Sequence, residues 1–376
     1  MPNRPDRSHL AYAAAGFALA AVITAMVWFP LSAKRNSLAI MAVTGATPLA
    51  LKEGVSAGFS LEVSGATERV YRFGRAALDA FAAVYRRTLE VSPAGEFEGS
   101  YRYTGIPVLH ILEGILPKKA KDAPFDRPLD MVVTFVAAGG DRRHFSYGEL
   151  TMTGDRDPVL LAYARAELLP AKPVVGETYG WNKQRGPLTG LRLVCPAEPT
   201  TARYLDDVVK IVLFEPVVDN VGLPPMTRDG RCRSDSLTVV RRGVAAPLSL
   251  TGVERTSVAG WVRTGHGRGF KGIAAATGYD LRSLLRRNIP DAGVDQFFLF
   301  VACDGYRALF SGREIFGTEA GRRMMLLETI DGEATADGLG LGPVEDYYVD
   351  RMVRGLTHIV VLDDVEGSGA RPARGE

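Results

Sequence analysis

The sequence predicts an α+β fold: two tandem mixed-sheet domains behind an N-terminal membrane-spanning helix. Three observations carry that expectation. Residues Leu10–Ala33, "LAYAAAGFALAAVITAMVWFPLSA", contain no charge. A segment "FVAAGGDRRHFSYGEL" (135–150) returns 165 positions later as "FVACDGYRALFSGREI" (300–315), with eight identities in sixteen. Apolar runs with the period of a strand alternate with runs at helical spacing in both halves of the chain.

The N-terminal run comes first. An apolar helix of about 20 residues spans a bilayer core, so residues 1–36 read as a membrane anchor. The run exceeds the h-region of a secretory signal, and Leu31 suits the −3 position before Ala33 poorly, which favours an uncleaved anchor over a cleaved signal or a buried helix. Trp28 and Phe29 suit the interfacial belt. Arg4 and Arg7 on one side balance Lys34 and Arg35 on the other, so charge does not orient the helix. A single anchor before a large body usually places that body outside the cytoplasm. The expected location is the inner (cytoplasmic) membrane, crossed once, with a periplasmic body.

The body then divides. The expected domains are 58–215 and 247–364, joined by a Pro-, Gly- and charge-rich linker, 216–246, and followed by a disordered tail, 365–376. Five blocks recur in the same order. "LEVSG" (61–65) answers to "LSLTG" (248–252), and "YTGIPVLHILEGI" from Tyr103 to "FKGIAAATGYDLRSLL" from Phe270. "VLLAYARAE" from Val159 answers to "MLLETIDGE" from Met325, and "DDVVKIVLFE" to "RGLTHIVVLD". Within the first copy, strand Leu61–Val63 precedes an amphipathic helix, "ALDAFAAVYRR", with Leu78, Phe81, Ala82 and Tyr85 on one face. Strand "TLEV" and a Gly-Ile turn follow. A second helix then carries Val108, Leu112 and Ile115, matched by Leu281, Leu284 and Leu285 in the second copy. "MVVTFVA" is apolar enough to be buried on both faces, and "LRLVC" and "VVKIVLF" complete the unit.

The totals exclude some functions. A net charge of +2 over 376 residues supplies no basic excess for nucleic acid. Three cysteines, Cys195, Cys232 and Cys303, and five scattered histidines form no CxxC or HExxH metal motif. Cys195 and Cys303 fall in apolar strands, where cysteine behaves as a small hydrophobe. Cys232, between Arg231 and Arg233, is an activated surface thiol, a plain linker residue, or a disulfide partner of Cys195.

The ordered blocks resemble the molybdopterin-binding domain of the sulfite oxidase family. The residues that carry the likeness are the turn Gly105-Ile106-Pro107, the strand marked by Gly186-Pro187, Leu191-Arg192-Leu193 and Pro196, and the turn Asp304-Gly305-Tyr306. The resemblance implies two tandem copies of that domain, a molybdopterin-type cofactor, oxidoreductase activity and a partner redox protein. It also implies a molybdenum-ligating cysteine before the Gly-Ile turn. Neither "VSPAGEFEGSYRY" nor "SVAGWVRTGHGRGF" contains one, and Arg4 and Arg7 do not form the twin-arginine pair of exported members. Molybdenum is therefore doubtful.

Candidate ligand contacts remain. Arg263, His266, Arg268 and Lys271 in "RTGHGRGFKG" combine cations with glycines that admit a close oxyanion. Lys183 and Arg185 in "WNKQRG" stand where the family places cofactor contacts, and Asp304 and Tyr306 belong to its turn. His110 and His144 read as incidental, and no catalytic residue can be nominated. Two functions follow: a membrane-anchored oxidoreductase-family protein holding a pterin-type or other anionic small molecule, and a cofactor-free binding or assembly module on the same fold.

Overall fold

The computed structural model describes residues 60–365 except 154–157, 171–184, 219–221, 228–231, 266 and 268. The anchor at 1–36 lies outside the described residues. Among the described residues no helix is long and apolar enough to cross a membrane.

In the first half the strands are β1 (Ser60–Gly65), β2 (Tyr71–Gly74), β3 (Val84–Val91), β4 (Phe97–Pro107), β5 (Val132–Ala137), β6 (Arg142–Ser146), β7 (Leu160–Pro170), β8 (Arg185–Val194) and β9 (Leu205–Phe214). Its helices are short: α1 (Arg75–Leu78), α2 (Val108–Glu113) and α3 (Tyr147–Thr151). The second half contributes β10 (Thr238–Arg241), β11 (Val244–Pro247), β12 (Arg255–Gly265), β13 (Gly269–Asp280), β14 (Phe297–Ala302) and β15 (Arg307–Ser311). It ends with β16 (Met324–Ile330), β17 (Glu333–Ala334), β18 (Gly340–Pro343) and β19 (Leu356–Leu362), and its helices are α4 (Leu281–Asn288) and α5 (Gly312–Gly317).

This corrects the α+β expectation. Among the described residues strands account for 50% and helical segments for 15%, so that part of the protein is mostly β. The clearest reversal is "ALDAFAAVYRR". Its helix stops after Leu78, and Val84–Val91 pairs with Tyr103 and its neighbours in β4 from Val84↔Gly105 onward. Val84, Tyr85 and Thr88 are β-branched or aromatic and favour a pleated surface. Only Leu78 of the expected apolar face is fully buried, and Tyr85 is exposed. Cross-strand pairing outweighed helical periodicity there.

The first half forms one nine-stranded sheet, β2-β1-β9-β8-β7-β4-β3 with β5 and β6 branching from β9. The second half forms two five-stranded sheets, β11-β10-β19-β14-β15 and β12-β13-β16-β17, with β18 beside β16. The halves nonetheless pair alike. β1 runs parallel to β9, as β10 does to β19. β5 and β14 are antiparallel to β9 and β19, with a register shift at Val136/Ala137 and at Val301/Ala302. The turns after these strands match bond for bond. Gly140 N and Gly305 N donate to Ala137 O and Ala302 O, and Ala137 N and Ala302 N to Asp141 O and Tyr306 O. Both glycines have positive φ, 93° and 82°, which only glycine adopts at little cost.

The pairing also corrects the block alignment. The counterpart of β1 is β10, inside the segment read as a linker, whereas Leu248–Gly252 forms no strand. The counterpart of Gly105-Ile106 is Gly278-Tyr279, not Gly272-Ile273. Gly105 pairs with Ala162, and Gly278 with Leu327. A Cβ on Gly105 would lie 2.7 Å from Leu161 O, and one on Gly278 2.0 Å from Leu326 O. After that crossing Val108, Ile111 and Leu112 enter one core and Leu281, Leu284 and Leu285 the other. Gly278→Ala should therefore cost about 1–3 kcal/mol by overpacking. Gly139→Ala, with nothing within 4 Å of its Cβ, should be near neutral; equal urea midpoints for the two variants would refute the crossing.

Sheet β14–β19 is covered on both faces. Phe298, Phe300 and Phe310 pack against Leu281, Leu284 and Leu285 of α4. Phe297, Leu299 and Val301 face Val132 and Phe214 of the first half. Each such side chain contributes about 1.5–3 kcal/mol on burial, so the halves meet through a shared apolar layer.

Candidate functional site: the buried ionic junction

Charged residues concentrate where the halves meet. α3 and α5 both start at a serine whose hydroxyl accepts the backbone N–H three residues on: Ser146 from Glu149 N and Ser311 from Glu314 N, each at 3.0 Å. This Ser-x-x-Glu spacing normally turns the glutamate back onto its own cap. Here each glutamate turns to the other half. Ser311 Oγ donates to Glu149 Oε2 at 2.9 Å, and Ser146 Oγ to Glu314 Oε2 at 3.4 Å.

Two buried arginines answer the carboxylates, each from a 3-10 turn, Thr201–Arg203 and Val349–Arg351. Arg203 bonds Glu149 and Glu198. Arg351 bonds Asp346 through Nε at 2.8 Å and lies 2.7 Å from Glu314 Oε1. Their guanidinium carbons sit 4.0 Å and 4.3 Å from the ring centroids of Phe145 and Phe310, a cation–π arrangement strengthened by desolvation. Burial pushes the Glu314 carboxyl up to about 8 and raises those of Glu198 and Asp346.

Two further clusters flank the junction. Lys119 Nζ donates to Asp130 Oδ1 at 2.7 Å and to Phe125 O, and burial lifts Asp130 to about 6. On the first sheet, buried Glu90 accepts from Tyr103 Oη at 2.7 Å and Thr88 Oγ1 at 3.1 Å. Arg192 approaches Glu90 at 3.4 Å and Asp206 at 2.8 Å; it is the arginine of the Leu191-Arg192-Leu193 motif.

The sequence-predicted ligand residues are dispersed. Asp304 closes its own turn, Oδ1 accepting from Tyr306 N at 3.0 Å. Tyr306 is packed edge-on to Phe125 at 5.2 Å and beneath Arg127, and its hydroxyl donates to Asp350 O. Burial pushes that hydroxyl up to about 12. Residues Pro225 and Met226 cover Gly305, so this turn is packed within the protein. Arg263 lies in β12, its guanidinium carbon 5.9 Å from the Trp261 ring centroid, and Lys271 is exposed at an irregularity of the β12–β13 hairpin. That hairpin belongs to a different sheet from Asp304 and Tyr306. His266, Arg268 and Lys183 lie outside the described residues; Arg185 opens β8, and its side chain is likewise outside them. Sequence reasoning missed Glu149, Glu314, Arg203 and Arg351. The signal was the Ser and Glu shared by "FSYGE" and "FSGRE".

The cysteines are disposed differently from expectation. Cys232 and Cys303 form a disulfide, with Cα atoms 5.9 Å apart, so Cys303 is not a plain core residue and Cys195 is not the partner of Cys232. Cys195 is buried, its Sγ 3.9 Å from Arg203 O, and burial holds its thiol well above the usual range. A molybdenum centre needs a deprotonated soft ligand. This donor set does not fit one: two sulfurs are bonded to each other and the third is held protonated. Among the described residues no group of His, Cys, Asp and Glu is placed to hold a metal ion.

No family model matches the chain, and no curated protein matches it. Among solved structures it is similar to the sulfane dehydrogenase SoxCD from Paracoccus pantotrophus, with a TM-score of 0.29 and 12% identity, over 79% of this chain and 77% of that one. That neighbour is an oxidoreductase.

Proposed function

We propose that this protein is a non-catalytic binding or assembly module of an oxidising, extracytoplasmic compartment, built from two copies of a sulfite-oxidase-like framework. The Cys232–Cys303 disulfide carries the reading. It removes two of the three sulfurs from any ligand role, and structural disulfides persist in oxidising compartments. The buried arginines and carboxylates support it too, since each is ion-paired within the fold. Arg263 and Lys271 are where the reading leaves room for an anionic small molecule.

Metal and pterin analysis of the purified protein tests this. The expected result is substoichiometric molybdenum and no oxidation of sulfite. One molybdenum per chain, lost on Cys303→Ser, would overturn it.

A further inference from the structure

We propose that the junction between the halves is a proton-operated latch, closed when Glu314 carries a proton and loosened when it does not. The geometry is a mismatch of charge. Four buried carboxyl groups, Glu149, Glu198, Glu314 and Asp346, converge on two buried guanidinium groups, Arg203 and Arg351. Full ionisation would set four negative charges against those two guanidinium groups, with only Arg313 as a further cation, beside Glu198. An excess of buried negative charge is strongly unfavourable.

Glu314 is where a proton relieves that best. It faces Arg351, Glu149 and Asp346, and Ser146 across the junction. Its Oε1 lies 2.7 Å from Arg351 Nη2, a nitrogen that also donates to Asp346. Asp346, by contrast, takes two bonds from the same guanidinium. Glu149 takes one from Arg203 and one from Ser311. Glu198 is bonded to Arg203 Nε, and although its Oε2 has no hydrogen-bond partner, Arg313 is a further nearby cation. Glu314 is thus the carboxyl with the poorest compensation for its charge. Its only cross-junction bond, 3.4 Å from Ser146, is long.

The direction with pH follows. The carboxyl binds its proton up to about 8 in the folded protein and up to about 4.5 in the unfolded chain. Between those limits the folded state holds one more proton, so stability falls as pH rises and levels off above about 8. Asp130, raised to about 6, is half ionised there and completes its titration about one unit higher. Burial also raises Glu198 and Asp346, and these three groups are common to the wild type and the Glu314→Gln variant.

The test is thermal unfolding of the full chain between about pH 6 and pH 9, beside Glu314→Gln, which keeps the shape and cannot ionise. The wild type should lose Tm up to about pH 8 and then level off, and E314Q should lose far less than the wild type above about pH 7, where Asp130 has completed its titration. Hydrogen exchange at 146–151 and 311–317 should quicken above about pH 8, beyond its intrinsic rise, in the wild type only. Parallel Tm profiles for the two proteins would overturn the proposal. Ser146→Ala gives a reading that does not need E314Q to fold. Removing a donor to the carboxylate should move the levelling-off to higher pH, and an unmoved or lowered midpoint would also overturn it.

Discussion

Replacing Arg351 with methionine is expected to cost about 3–5 kcal/mol. The side chain is fully buried, bonded to Asp346 and against Glu314 and the Phe310 ring. Taking away one partner of a buried ion pair leaves the other charges uncompensated, which is where a loss of that size arises. Domains are stable by only about 5–15 kcal/mol, so the variant stands near the threshold of folding. Urea unfolding measures the loss. Arg72→Met, which removes an exposed pair with Glu62, should change stability by less than about 1 kcal/mol. If the two variants lost the same amount, the junction would not be a stabilising centre.

Breaking the disulfide should cost nearly as much. Cys232 and Cys303 are 71 residues apart, and the loop they close contains β10 to β14 and α4. Chain-entropy reasoning puts a closure of that length at about 4 kcal/mol. Reductant should lower the urea midpoint of the wild type. The Cys232→Ser/Cys303→Ser variant should start at the lowered midpoint and ignore reductant. Denatured, unreduced protein should titrate one thiol, that of Cys195; three thiols would show the bond does not form.

The sequence was most informative where burial follows strand alternation or a short apolar run. "MVVTFVA", "LRLVC" and "VVKIVLF" stand as β5, β8 and β9, and Leu281, Leu284 and Leu285 share one helix face. It misled where periodicity was ambiguous. Residues 77–87 fit a helix and a strand alike, and β4, reached only through the fold, selects the strand. The Gly-Ile string at 272–273 drew the alignment away from Gly278, because what distinguishes Gly278 is a neighbouring backbone rather than its own context. The junction was half legible. The serines and glutamates of α3 and α5 were visible as a repeated pattern. Their arginines, 54 residues from Glu149 and 37 from Glu314 in sequence, belong to no local motif. Three cysteines permit several pairings, and sequence cannot choose among them.

The paired turns and helix starts have a consequence for how the two faces can change. In a symmetric dimer of separate chains every substitution is made twice, once on each side of the axis. Here the two faces lie on one chain, so each position varies alone. Gly148 and Arg313 show the freedom this gives, being the residues just before the two junction glutamates. A Cβ on Gly148 would fall 2.2 Å from Cδ of Arg351, while Arg313 carries a long cationic side chain that reaches toward Asp295. One face yields space to the arginine of its neighbour, and the other face keeps a charge of its own.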